Sequence, residues 1–155
     1  MIYDTPQLDF DSKFDYIQCF IEHEREFLYL LRQDDKEEGN KWGGPGGGSE
    51  QGEDKLATAI RETKEETGIL LCPQRMIYLG VLYVRYPERF DFTCHTYYTV
   101  ISRKPKIVLN DEEHKDFRWV TLQEALSLDL MLDEDEHIRI VSKILGFKHL
   151  PQPGI

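Results

Sequence analysis

Residues 43–69 read GGPGGGSEQGEDKLATAIRETKEETGI, and the fold is decided here. Six of the eleven glycines fall between Gly43 and Gly52. Glycine adopts conformations closed to other residues and lets backbone approach a ligand closely. From about Glu53 the pattern turns helical. Leu56, Ala59, Ile60, Thr63 and Thr67 recur at three- and four-residue intervals, and Gly68 supplies the stop. At about 100° per residue, Glu62, Glu65 and Glu66 fall within one arc of roughly 100°, opposite Leu56, Ile60, Thr63 and Thr67. One face therefore packs on a sheet while the other presents three carboxylates. Like charges so placed repel unless a cation sits among them, and Arg61 offers one. Three converging carboxylates with nearby backbone carbonyls suit a hard divalent ion such as Mg²⁺ or Mn²⁺. Backbone amides at a helix N-terminus favour phosphate oxygens. A metal cage beside such a loop is equipment for phosphoryl chemistry.

Working outward, residues 16–22 (YIQCFIE) and 27–32 (FLYLLR) are rich in aromatic and β-favouring residues around the charged 23–26, which predicts a hairpin. The segment through Ser12 is polar, contains Pro6 and is expected to lie extended on the surface. A polar loop over 33–41 leads to Trp42. Beyond the helix, residues 76–86 and 90–101 predict two long strands around the turn 87–89. Shorter strands are expected at 106–109 and 116–120. Thr121 with Glu124 forms a capping-box signal for a helix over 122–128. Asp133 with Glu136 forms another, for a helix carrying Ile138, Val141, Ile144 and Leu145 up to Gly146. The order of elements predicts an α/β (α+β) fold in which a mixed sheet lies between helices.

The chain has 155 residues and a formal net charge of -10. That length predicts one domain over 1–155 with a proper core. The acidity disfavours nucleic acid and an anionic membrane surface as partners, because both call for a basic footprint. Cys19, Cys72 and Cys94 have no CxxC or zinc spacing, which fits a reduced, cytoplasmic protein. No apolar run approaches the roughly 20 residues needed to cross a bilayer.

Taken alone, a Glu-rich helix face is a solvated surface, and a glycine run is a flexible linker. The stretch is not a P-loop, since no Gly-Lys-Ser/Thr follows, and residues from Asp34 onward miss the EF-hand template. Register decides between these readings. Gly47, Glu53, Arg61-Glu62, Glu65-Glu66 and Gly68-Ile69 stand at the spacing that resembles the Nudix box of Nudix hydrolases. The seven of these other than Ile69, at about 5–7% usage each, would coincide on the order of once in 10⁸ to 10⁹ starting points. Trp42 with Pro45-Gly46-Gly47, and the segment from Asn110 through Glu113 to Trp119-Val120, are also similar to that family. Thr63 departs from it, standing where a bulky aliphatic residue is usual, and as a threonine it can hydrogen-bond back into its own helix. Gly44 departs too, preceding Pro45 where an apolar residue is common.

The resemblance implies roles. Glu62, Glu65 and Glu66, with the Gly46 carbonyl, would hold the divalent metal, Mg²⁺ or Mn²⁺. Gly46, Gly47 and Gly48 would form the loop facing substrate. Arg61 would orient the carboxylates, and Glu53 would brace the loop. Glu62 and Glu113 are both candidates for taking the proton of the attacking water. The implied activity is pyrophosphohydrolysis of a nucleoside diphosphate linked to another moiety, with (d)NTP to (d)NMP and pyrophosphate first. Dinucleoside polyphosphates or ADP-ribose come next. Tyr86 lies in the zone beyond the box where some relatives acting on dinucleoside polyphosphates carry a tyrosine. A non-catalytic domain that senses nucleotides or binds a partner is the reading of another class. The partner implied is a small-molecule nucleotide. Oligomeric state stays open, a homodimer included. Arg32 and Arg85 could reach substrate phosphates.

Overall fold

The computed structural model describes residues 1–147. Its strands are β1 (Ile2–Tyr3), β2 (Ser12–His23), β3 (Glu26–Arg32), β4 (Trp42–Gly43), β5 (Gly46–Gly48), β6 (Ile77–Tyr86), β7 (Phe90–Val100) and β8 (His114–Val120). Its α-helices are α1 (Lys55–Thr67), α2 (Leu122–Ala125) and α3 (Glu134–Leu145). The strands form one mixed sheet in the order β1-β6-β7-β2-β3-β4, with β5 added on β2 and β8 on β3. The β2–β7 pair is parallel, and the other pairs are antiparallel.

Period-two alternation along the central strands assigns the two cores. Ile17, Cys19 and Ile21 of β2, with Leu28 and Leu30 of β3, pack on Ala59, Leu56 and Ile60 of α1. Phe20 of β2, with Phe27 and Tyr29 of β3, faces the other way onto Ala125, Ile138 and Val141 of α2 and α3. The sheet is thus sandwiched between helices, as the sequence predicts. Among the described residues no helix is long and apolar enough to cross a membrane.

The hairpin of β2 and β3 is paired only at its tip, Glu22 with Phe27 and His23 with Glu26. Glu24 and Arg25 both take positive φ (47° and 69°) there, the conformation of a tight two-residue turn. Away from the tip the strands splay, and β5 inserts against β2, pairing Ile17 with Gly47 and Gln18 with Gly46. Only glycine fits at the second contact, because a Cβ on Gly46 would lie 2.2 Å from the Ile17 carbonyl oxygen.

Five expectations are corrected. Residues 106–109 form no strand; with Pro105 beside it, the segment caps α1 instead, the Val108 N–H donating to Thr67 O at 2.8 Å. The box helix begins at Lys55, because the Asp54 side chain accepts from Ala57 N as N-cap. The Thr121–Glu124 capping box forms, but its helix ends at Ala125. Asp133 does not cap α3 with its side chain. It sits at φ 66°, and its carboxylate pairs with the terminal ammonium of Met1. The first residues also do more than lie extended, since β1 pairs with β6.

Candidate active site

The box helix and the glycine strand face each other across a cavity of about 330 Å³. Glu62, Glu66 and Glu113 line it, with Gly46, Gly47 and Gly48 as the opposite wall. A Cβ on Gly47 would lie 2.2 Å from Glu62 Cδ, so glycine there leaves the space this carboxylate occupies. Glu66 is buried at 3% exposure, and the Gly46 N–H donates to it. Burial, then the neighbouring Glu62 and Glu113, push its carboxyl well above the usual range. Glu62 is raised as well, chiefly by burial, with Arg61 opposing.

Arg61 organises the rim. Its Nε donates to Glu53 Oε2 at 2.7 Å and its Nη2 to Glu53 Oε1 at 2.9 Å. Nη1 reaches Glu62 Oε1 at 3.0 Å and Glu65 Oε2 at 3.2 Å. Hydrogen bonds from Arg61, then Thr58, hold the Glu53 carboxyl down to about 2. Glu53 in turn accepts from the Glu50 N–H, which ties the loop to the helix.

Glu65 is not brought to the cavity. It is exposed on the helix and held by Arg61. Among the described residues no three His, Cys, Asp or Glu side chains stand grouped tightly enough to ligate one ion as they are. The donors nevertheless suit a hard cation: Glu62 and Glu66 are hydrogen-bonded to each other, partly or wholly desolvated, and mutually repelling. A divalent ion relieves that repulsion without a proton.

A second cavity, about 200 Å³, adjoins the first and shares Tyr16, Arg32, Gly43, Gly44 and Met131 with it. Its walls are largely aromatic and aliphatic: Phe14, Leu82, Val84, Tyr86, Phe90 and Phe92. Arg32 lies at the junction, whereas Arg85 lines neither cavity and is paired with Asp91. Lys36 and His114 also line the acidic cavity. His114 is held down to about 4 by burial and by Arg32, so it is neutral near pH 7. Sequence reasoning did not single out Tyr16, Lys36, Gln18 or Glu134. A signal existed for Glu134, which falls with His137, Ile138 and Val141 on the buried stripe of α3 at helical spacing.

Thr63 is fully buried, and its hydroxyl makes no bond back into the helix but lies against the Cys19 thiol of β2. Thr67 makes that kind of bond instead, its Oγ1 donating to Thr63 O at 2.6 Å. Gly44 is explained by close approach, since a Cβ there would lie 2.8 Å from Gln18 Nε2.

A sheet between helices, with glutamates of one helix facing a glycine strand, is the build of a phosphoanhydride hydrolase. A family model describing the NUDIX domain matches residues 15–141, so this chain belongs to the NUDIX family, hydrolases acting on pyrophosphate bonds. Mouse (Mus musculus) bis(5′-nucleosyl)-tetraphosphatase [asymmetrical] is 32% identical over 104 residues, 66% of this chain and 69% of its own. The C. elegans Ap4A hydrolase, solved as a binary complex, shares the fold at TM-score 0.68 and 21% identity, covering 86% of this chain and 98% of that one. The NUDIX domain of Shewanella oneidensis NrtR, solved with ADP ribose, matches at TM-score 0.72 and 17% identity, covering 88% and 90%.

Proposed function

We propose that the protein hydrolyses a phosphoanhydride of a nucleoside polyphosphate, with the nucleoside in the aromatic cavity and the phosphates in the acidic one. The observation that carries this is the shared wall: Tyr16, Arg32 and Gly43-Gly44 border both cavities. A base held on one side thereby delivers its phosphates to the carboxylates on the other. Glu62 and Glu66 would hold the metal, with the Gly46 carbonyl available beside them. Mg²⁺ or Mn²⁺ bound there supplies charge neutralisation and acidifies the attacking water. Glu65 would join through the Arg61 network rather than from the cavity itself. Arg61 fixes the carboxylates, Glu53 braces the loop, and Glu113 or Glu62 takes the proton. Arg32 and Lys36 supply positive charge for phosphate oxygens.

The aromatic cavity suits the base of a (d)NTP cleaved to (d)NMP and pyrophosphate, which is the first reading. A dinucleoside tetraphosphate is the second reading, favoured by the mouse relative and by Tyr86 lining the cavity. A panel of ATP, GTP, Ap4A and ADP-ribose with Mg²⁺, scored for phosphate and pyrophosphate, separates them. Cleavage should vanish in Glu62→Gln and Glu66→Gln. If neither variant loses activity, the metal-site assignment fails; if nothing is cleaved, a sensing role replaces catalysis.

A further inference from the structure

We propose that the outer edge of β8 pairs antiparallel with the same strand of a second copy of this chain, about a two-fold axis through Phe117. β3 takes one edge of β8, with Leu28 opposite Trp119, Leu30 opposite Phe117 and Leu31 opposite Asp116. Among the described residues no strand takes the other edge. Lys115, Asp116, Phe117 and Arg118 are all exposed, four in a row within one strand. An edge of that kind is a template for another chain. The Arg32 N–H donates to Lys41 O, away from β8. Alternation turns Leu30 the same way, so Phe117 opposite it directs its own N–H and C=O outward. That outward N–H is met by a side chain of its own strand, Asp116 Oδ1 at 2.8 Å.

The charges on this edge choose the occupant. Among the described residues neither Asp116 nor Arg118 has an ion-pair partner, and Arg118 lies over the Trp42 ring at 5.0 Å. A two-fold axis at Phe117 sets Asp116 opposite the partner's Arg118, and Arg118 opposite the partner's Asp116. Opposite charges directly across an antiparallel pair attract, and like charges repel. Acid, aromatic, base is its own complement only when read backwards, so the occupant is an antiparallel copy; a parallel one in register would set like beside like. Phe117, 37% exposed, meets the partner's Phe117 on the face that carries α1, since Leu30 opposite it packs in that core. An aromatic pair directly across two strands adds to the attraction. None of residues 115–118 lines either cavity, so this contact is independent of the hydrolysis proposed above.

Sedimentation equilibrium of the full chain from about 10 µM to about 1 mM tests this. Wild type should pass reversibly from monomer to dimer within that range, the weak association of a small interface. Asp116→Arg and Arg118→Asp each give the two positions like charge. Either alone should weaken dimerisation at least about tenfold, because one substitution turns two symmetry-related attractions into repulsions. An equimolar mixture of the two variants should recover the wild-type dimer as a heterodimer, since each then meets opposite charge at both places. A wild type that stays monomeric throughout, a dimer that neither reversal weakens, or a mixture no tighter than its components overturns the inference. Thermal unfolding checks that each variant folds. If one does not, hydrogen exchange on wild type decides: the Phe117 amide should exchange at least about threefold more slowly at the highest concentration than at the lowest, and equal rates overturn the inference.

Discussion

Substituting Gly47 by alanine would set the loop directly against the catalytic cavity. The new Cβ would lie 2.2 Å from Glu62 Cδ and 2.4 and 2.5 Å from its two oxygens. Carbon atoms in contact sit about 3.5–4.0 Å apart, so the carboxylate must retreat by more than about 1 Å. Misplacing a reacting group on that scale costs about 10²-fold in rate. That is about 2.7 kcal/mol of transition-state stabilisation. Because the clash is with the end of a flexible side chain, the fold should survive. Steady-state kcat/KM on ATP and Ap4A with Mg²⁺, alongside a thermal unfolding curve, reads both effects. A kcat/KM within threefold of wild type at unchanged Tm would refute the reasoning, because it would mean that the Glu62 position does not matter.

The neighbouring glycine should behave differently. Gly46→Ala meets the Ile17 carbonyl, which is sheet backbone that cannot withdraw, so stability should fall by about 1–3 kcal/mol in a urea titration. Arg61→Lys cannot reproduce the fork to Glu53 together with the contacts to Glu62 and Glu65, and kcat/KM should drop about 10- to 100-fold; near-wild-type kinetics would count against that network. Glu134 holds its proton up to about 8 when folded, against an ordinary value of 4.5. Between those values the folded state binds more protons than the unfolded one, so stability falls as pH rises and the loss is complete above about 8. His114 and His137, both held near 4, act mainly below pH 6.5. From pH 6.5 to 8 wild type should therefore lose about 1–2 kcal/mol that Glu134→Gln does not. Parallel denaturation midpoints in the two proteins would contradict this.

Local chemistry made much of this molecule readable from its residues. The continuous aromatic and β-favouring runs of β2 and β3 are what strands buried on both faces require, and Thr121 with Glu124 closes a box that needs only four residues. The apolar stripe of α1 and the stop at Gly68, which takes φ 76°, are equally local. Residues 106–109 read as a strand, yet no neighbouring strand receives them, and the open carbonyls at the end of α1 do. Asp133 has the composition of an N-cap, but Met1 is brought beside it by the pairing of β1 with β6. At the site, helical geometry puts Glu62, Glu65 and Glu66 on one arc. It cannot say that Glu65 stays exposed beside Arg61 while the turn before β8 brings Glu113 in. The Gln18–Glu134 bond depends on how α3 docks on the sheet, which local spacing does not contain.

The central claim is that Glu62 and Glu66 hold a divalent ion that drives phosphoanhydride cleavage. The most direct measurement is ³¹P NMR of ATP and Ap4A turnover by wild type, Glu62→Gln and Glu66→Gln, each with Mg²⁺ and then with excess EDTA. Cleavage by wild type that stops with EDTA and is lost in both variants is the expected result. Cleavage that persists in EDTA, or in either folded variant at the wild-type rate, would contradict it.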